Sequence, residues 1–209
     1  MNSVHVIDHP IIRVKLTELR NYACDHRHFR ALVEEVSMLM TYEITRTMPT
    51  RPRPIQTPLE KTTGVALAKQ VTLVPILRAG LGMTSGVMKI LPEVRVGHIG
   101  MERDEATAEP RAYYHKLPPD VAETEIIVTD PMLATGGSAE ACIDFLLGKL
   151  VPIEQIRLMC IVAAPEGVQR LHEKHPSLPI FTAAIDRELN DVNYIVPGLG
   201  DAGDRIFGT

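Results

Sequence analysis

The chain has 209 residues, 45% of them hydrophobic, enough for one compact core. A formal net charge of -4 argues against an extended nucleic-acid surface, which needs clustered Lys and Arg, and no apolar run reaches the ~18 residues of a membrane span. The opening MNSVHVIDHP lacks the basic and then apolar blocks of a secretory leader, so a cytoplasmic protein is the expectation.

Residues 27–46 carry Phe29, Leu32, Val33, Val36, Leu39 and Met40 at helical spacing between charged positions, which predicts an amphipathic helix with a core or subunit-contact stripe. Prolines at 49, 52, 54 and 58 follow. They remove backbone donors, so this stretch reads as a loop or an edge hairpin. The chain then alternates. Strands are predicted at 71–77, 94–101, 112–117, 125–130, 156–164 and 179–186, and helices at 81–91, 137–150 and 165–175. Apolar strands without polar alternation, separated by helices, predict an α/β domain with a parallel sheet covered on both faces.

Three widely spaced cysteines, Cys24, Cys142 and Cys160, form no C-x-x-C, which argues against a disulfide framework or zinc site. Cys142 and Cys160 lie in apolar segments and read as core residues. His172 and His175 have no H-E-x-x-H context and read as surface histidines.

In a parallel α/β sheet, ligands bind beyond the carboxyl ends of the strands. That singles out Arg78, the segment around Arg103, Asp130, and the tail after residue 186. The junction DPMLATGGSA is the most informative of these. Thr135, Gly136, Gly137 and Ser138 stand where a helix begins, and a glycine turn before unpaired helical N–H groups suits a phosphate. Asp130 is itself an anion, so it suits a polyol or a metal. Together the pair fits a sugar phosphate. The plain alternative is an ordinary Ser/Thr helix cap. No Walker loop is present, and GLGMTSG at 80–86 has the wrong spacing for a dinucleotide fingerprint.

DPMLATGGSA, VPILRAGLGM and YIVPGLGDAGDRIFGT, in this order, resemble the motifs of the uracil phosphoribosyltransferase family, and the resemblance runs from about residue 6 to the C-terminus. It implies a type I phosphoribosyltransferase fold: a central, mostly parallel sheet flanked by helices, a small hood, and a β-hairpin with a mobile loop. The chain would form one domain over 1–209, with an N-terminal helical and dimerisation segment to about residue 60 and a uracil-binding segment at about 186–209. It implies conversion of uracil and 5-phospho-α-D-ribose 1-diphosphate (PRPP) to UMP and diphosphate, a pyrimidine salvage step that uses Mg²⁺.

The resemblance also implies residue roles. Asp130, Pro131, Met132, Leu133, Ala134, Thr135, Gly136, Gly137 and Ser138 would bind PRPP, with the 5′-phosphate on the turn and the ribose hydroxyls on Asp130. Arg78 and Arg103 would contact the diphosphate and stabilise its departing charge. Ile195, Gly200 and Ala202 would read uracil through their backbone. Asp201 would lie close to PRPP, through the metal, and near N1 of the base. The ion itself would be held mainly by PRPP, with no direct protein ligand assigned beyond Asp201. The segment 102–112 resembles the loop that covers PRPP, with Glu102 where members commonly have Tyr. N-terminal regions contribute to a homodimer or higher homo-oligomer and, in some members, to activation by GTP. The alternative is a regulator of pyrimidine genes that keeps the fold and senses nucleotides. The uracil-end motif and the negative charge favour the enzyme.

Overall fold

A computed structural model of the chain describes residues 3–103 and 110–209, without the side chains of residues 102–112. The elements in chain order are β1 (Val4–Val6), α1 (Pro10–Arg20), α2 (His26–Ile44), β2 (Thr50–Gln56), β3 (Lys61–Leu67), β4 (Val71–Leu77), α3 (Leu81–Ile90), β5 (Arg95–Val96), β6 (His98–Arg103) and β7 (Pro110–Lys116). They continue with β8 (Glu125–Thr129), β9 (Met132–Leu133), α4 (Gly137–Gly148), β10 (Ile156–Ala163), α5 (Pro165–Lys174), β11 (Ile180–Ile185), β12 (Glu188–Leu189), β13 (Ile195–Val196) and α6 (Ala202–Phe207).

The main sheet runs β1-β11-β10-β8-β4-β6-β7, with β5 beside β4 and β9 beside β10. Its pairings are parallel except β6 with β7, which form an antiparallel edge. β4, β8 and β10 are almost wholly buried because helices cover both faces of the sheet. Alternate side chains point to opposite layers. Leu73, Ile127, Met159 and Ile161 meet the layer of α1, α2 and α3, whereas Val74, Ile126, Val128, Leu158 and Cys160 meet that of α4 and α5.

The stripe of α2 is core. Phe29, Leu32, Val33, Val36, Met40 and Ile44 are buried, each worth about 1.5–3 kcal/mol in removed apolar surface. Cys142 and Cys160 are buried as expected, and burial pushes the Cys160 thiol up to about 12. His172 of α5 and His175, which caps its C-terminus, depart from expectation. Both are half-buried, His175 Nε2 lies 3.0 Å from Asp144 Oδ1, and His172 Nδ1 lies 3.3 Å from Ser3 Oγ.

Two further regions differ from the sequence expectations, and a third meets them. Residues 4–6 supply an edge strand that was not expected, ahead of a helix at 10–20 that falls within the expected N-terminal helical segment. Residues 94–101 hold two short strands broken at Gly97, where a β-carbon would press to 2.6 Å from Leu117 Cδ2. The proline-rich stretch, read as a loop or an edge hairpin, is the first half of the exposed antiparallel hairpin β2–β3, outside the main sheet.

Candidate active site

The connections from β4 and β8 leave the sheet in opposite directions. α3 carries the chain from β4 to β6, and α4 carries it from β8 to β10. The two strands are neighbours, so a crevice opens between their carboxyl ends, the switch point where such sheets bind ligands. Arg78 follows β4 and Asp130 follows β8, which places the two on either side of that crevice. The Arg78 side chain is 65% exposed, and the Leu77–Arg78 peptide is cis.

Asp130 is tied down by its backbone, whose N–H donates to Met159 O at 3.1 Å. Its carboxyl receives the Met132 N–H at 3.4 Å and otherwise stands among buried chain, with one edge open to the pocket. Desolvation outweighs that single contact and pushes the carboxyl up to about 7.

The turn after Asp130 closes on α4. Gly136 takes the N-cap position at φ 80°, a left-handed conformation that costs a side-chain-bearing residue dearly, and no side chain caps the helix. The first-turn N–H groups therefore face outward without helical acceptors. They present the positive end of a 12-residue helix. Asp130, Met132, Leu133, Ala134, Thr135, Gly136, Gly137, Ser138 and Ala139 line an open hollow of about 150 Å³. An acid in the first turn, Glu140, is turned away into ion pairs with Arg170 and Lys174 of α5.

Composition alone made the tail a surface loop. Here it is built. The Asn190 side-chain oxygen Oδ1 accepts from Val192 N at 3.1 Å and Tyr194 N at 2.9 Å, closing the β12–β13 turn. Asn193 sits in that turn at φ 63° and lines the same hollow as the glycine cradle. Beyond it, Gly198 and Gly200 are left-handed, and the Val196–Pro197 peptide is cis. Asp201 is exposed and caps α6, accepting the Asp204 N–H at 2.9 Å. The first turn of α6 then meets the Arg78 turn: Asp204 Oδ1 is 4.0 Å from Arg78 Nη2, and a β-carbon on Gly203 would lie 3.9 Å from that of Ala79.

Of the residues expected to bind PRPP, the structure gathers Asp130 and residues 132–138 on the hollow with Arg78 across the crevice, while Pro131 lies behind it, its carbonyl accepting from Ile161 and Val162 in β10. Ile195, Gly200, Asp201 and Ala202 fall on the stretch that bridges from Asn193 at the cradle to the Arg78 turn. The backbone of Arg103 ends β6 opposite Pro110, while its side chain and residues 104–109 of the loop expected at 102–112 lie outside the described residues. Asn193 escaped sequence reasoning. Its one local signal was the D-x-N turn composition in which Asn tolerates a left-handed backbone.

Among the described residues, no group of three or more His, Cys, Asp or Glu gathers as a metal site. Larger hollows exist among the described residues, about 570 Å³ between β3 and the end of α3, about 510 Å³ beside β1 and about 350 Å³ between α1 and the end of β11, but none lies at the switch point between β4 and β8. No described helix is long and apolar enough to cross a membrane.

The uracil phosphoribosyltransferase family model matches residues 6–209. A uracil phosphoribosyltransferase of Levilactobacillus brevis is 53% identical over 210 residues, covering 100% of both chains. A solved protein of Aquifex aeolicus is 33% identical and superposes with a TM-score of 0.92, over 99% of this chain and 98% of that one. A purine phosphoribosyltransferase of Pyrococcus horikoshii, 13% identical with a TM-score of 0.51 over 75% of this chain and 84% of its own, shares the fold alone, that of the type I phosphoribosyltransferases. With the cradle, the switch-point pair and the built tail all inside the matched span, the chain belongs to the uracil phosphoribosyltransferase family.

Proposed function

We propose that this chain transfers the 5-phosphoribosyl group of PRPP to uracil, giving UMP and diphosphate. The observation that carries the reading is the continuity of the site. The cradle, Asp130, the tail and the Arg78 turn adjoin one another around one crevice, in a chain whose relatives match end to end. The full-length relatives favour an enzyme over a nucleotide-sensing regulator.

The 5′-phosphate would sit on the N–H groups of residues 136–138, with Thr135 and Ser138 hydroxyls beside it. Asp130 would accept from the ribose hydroxyls. The C1–O bond to diphosphate breaks, N1 of uracil forms the new bond to C1, and the N1 proton is lost, with Asp201 as the nearby carboxylate. Arg78 and Arg103 would meet the charge that grows on the leaving diphosphate. Main-chain groups at Ile195, Gly200 and Ala202 would match uracil's two carbonyls and N3–H, a pattern cytosine cannot satisfy.

Mg²⁺ belongs to the same proposal. Its chemistry is to neutralise diphosphate oxygens, and it is commonly held by one or two carboxylates plus substrate phosphates, which suits a mouth whose nearby acids are Asp130 and Asp201. A homodimer or higher homo-oligomer is supported by the β2–β3 hairpin, which leaves Leu59 94% and Val65 74% exposed. GTP is the candidate effector, and the cytoplasm the proposed location.

The test is nucleotide formation from PRPP and Mg²⁺ with uracil, cytosine, hypoxanthine and orotate in parallel, with and without GTP. UMP from uracil alone is expected. No product from any base, despite PRPP binding, would overturn the reading.

A further inference from the structure

We infer that Arg20 of α1 and Asp186 at the end of β11 are positioning residues for uracil recognition, holding the base-reading backbone to the sheet through the peptide groups of Gly198. This rests on the proposed function of the site.

Asp186 directly follows a central-sheet strand, and its own N–H donates to Ala163 O at 2.8 Å, so its backbone is fixed by β10. Its side chain is only 4% exposed. Each of its oxygens is used. Oδ1 accepts from Arg20 Nη2 at 2.6 Å, and Oδ2 accepts from Arg20 Nη1 at 2.8 Å and from Gly198 N at 2.9 Å. Arg20 Nη1 also donates to Gly198 O at 2.9 Å. The ion pair therefore grips Gly198 by both its N–H and its carbonyl.

Gly198 is not a passive end point. At φ 60° a β-carbon would lie 2.0 Å from Ile195 O, so its backbone is packed on the carbonyl of one of the residues proposed to read uracil. Two residues further lies Gly200, another of them. A second tie holds the far side: Arg205 donates to Leu199 O at 2.8 Å and to Leu19 O at 2.6 Å, and its guanidinium lies 4.2 Å from the centre of the Phe29 ring. The end of α1 and the start of α2 are thereby part of the base site.

Burying the Asp186 carboxylate against a part-buried arginine is costly and does little for stability compared with apolar packing, so the pair calls for another explanation. Recognition by main chain supplies one. Backbone groups have no rotamers with which to adapt, so their placement must come from outside the segment. A bidentate arginine–carboxylate fork fixes distance and plane together, and a lysine cannot reproduce it.

The test is Arg20→Lys, compared with wild type in steady-state UMP formation. The expected result is a uracil KM raised about 10- to 100-fold with the PRPP KM within about twofold, because a misplacement of about 1 Å costs on this scale. Discrimination against cytosine should fall in parallel, which a loss of stability alone would not produce. If Arg20→Lys does not fold, the double variant Arg20→Met, Asp186→Leu removes both charges and should show the same split. An unchanged uracil KM, or equal rises in both KM values, in the variant that folds would overturn the inference. Wild type that makes no UMP would overturn the proposed function and this inference with it; wild type that is active beside an unaffected variant would overturn this inference alone.

Discussion

Gly136 and Gly167 meet backbone to backbone: a β-carbon on Gly136 would lie 3.0 Å from Gly167 O, and one on Gly167 would lie 2.3 Å from Ala134 O. The N-terminus of α5 is thus a buttress for the glycine cradle, with no room between them. Gly167→Ala should push the cradle off its position. Overpacking of this kind costs about 1–3 kcal/mol. A lower melting temperature is expected, together with a raised PRPP KM and a nearly unchanged uracil KM. A PRPP KM equal to that of wild type would show that α5 does not set the cradle.

Arg78 offers the opposite case, a residue whose loss should leave the fold alone. Its side chain is exposed, and its one described ionic contact, to the half-exposed Asp204, is long at 4.0 Å. Such a pair contributes little to stability. Arg78→Ala should melt like wild type yet lose on the order of 10²-fold or more in turnover, the scale of a lost transition-state charge contact. Near-normal turnover would remove Arg78 from the mechanism.

The contrast between these two residues shows what a sequence discloses. The buried strands 71–77, 125–129 and 156–163 were legible because burial on both faces leaves an unbroken apolar run. The cradle was legible because glycines and hydroxyls at a helix start report a backbone need that is local. α1 carried its signal, Pro10 at the start and Ile12, Leu16 and Leu19 on one face, but over so short a span that it passes for loop. The tail was illegible for a physical reason. Its six-residue helix is too short to be stable by propensity and is held by Arg205, reaching carbonyls 184 to 186 residues away in sequence. Arg20 and Asp186, 166 residues apart, leave no local pattern at all.

The buried pair of Arg157 and Glu125, 2.6 Å apart with side chains 10% and 8% exposed, sits at the amino ends of β10 and β8, away from the crevice. Glu125→Ala would strand the arginine charge. Removing one partner of such a pair costs about 3–5 kcal/mol. The melting temperature should drop accordingly, while the KM values of the enzyme that remains folded stay at their wild-type levels. A shift in either KM would mean that strain at this end of the sheet reaches the site.

Asp130 couples stability to function through its proton. Burial raises its carboxyl from 3.8 to about 7, so the folded chain holds the proton more tightly than the unfolded chain does. The stability this group contributes is complete below pH 3.8 and is lost as the pH rises through about 7. Asp130→Asn removes that penalty. Relative to wild type, the variant should gain thermal stability above pH 7, with a ceiling of about 4 kcal/mol that solvent in the pocket will lower, and should gain none below pH 4. Activity should move the other way. With the ionised carboxylate as the proposed acceptor for the ribose hydroxyls, wild-type kcat/KM for PRPP should rise through an apparent pKa near 7, and the variant should lose most of it. Thermal melts of both proteins between pH 4 and 8, set beside the pH profile of PRPP use, check the two limbs together. A variant no more stable at pH 8 would show that Asp130 is ionised without penalty, and the site would have to owe its proton chemistry to another group.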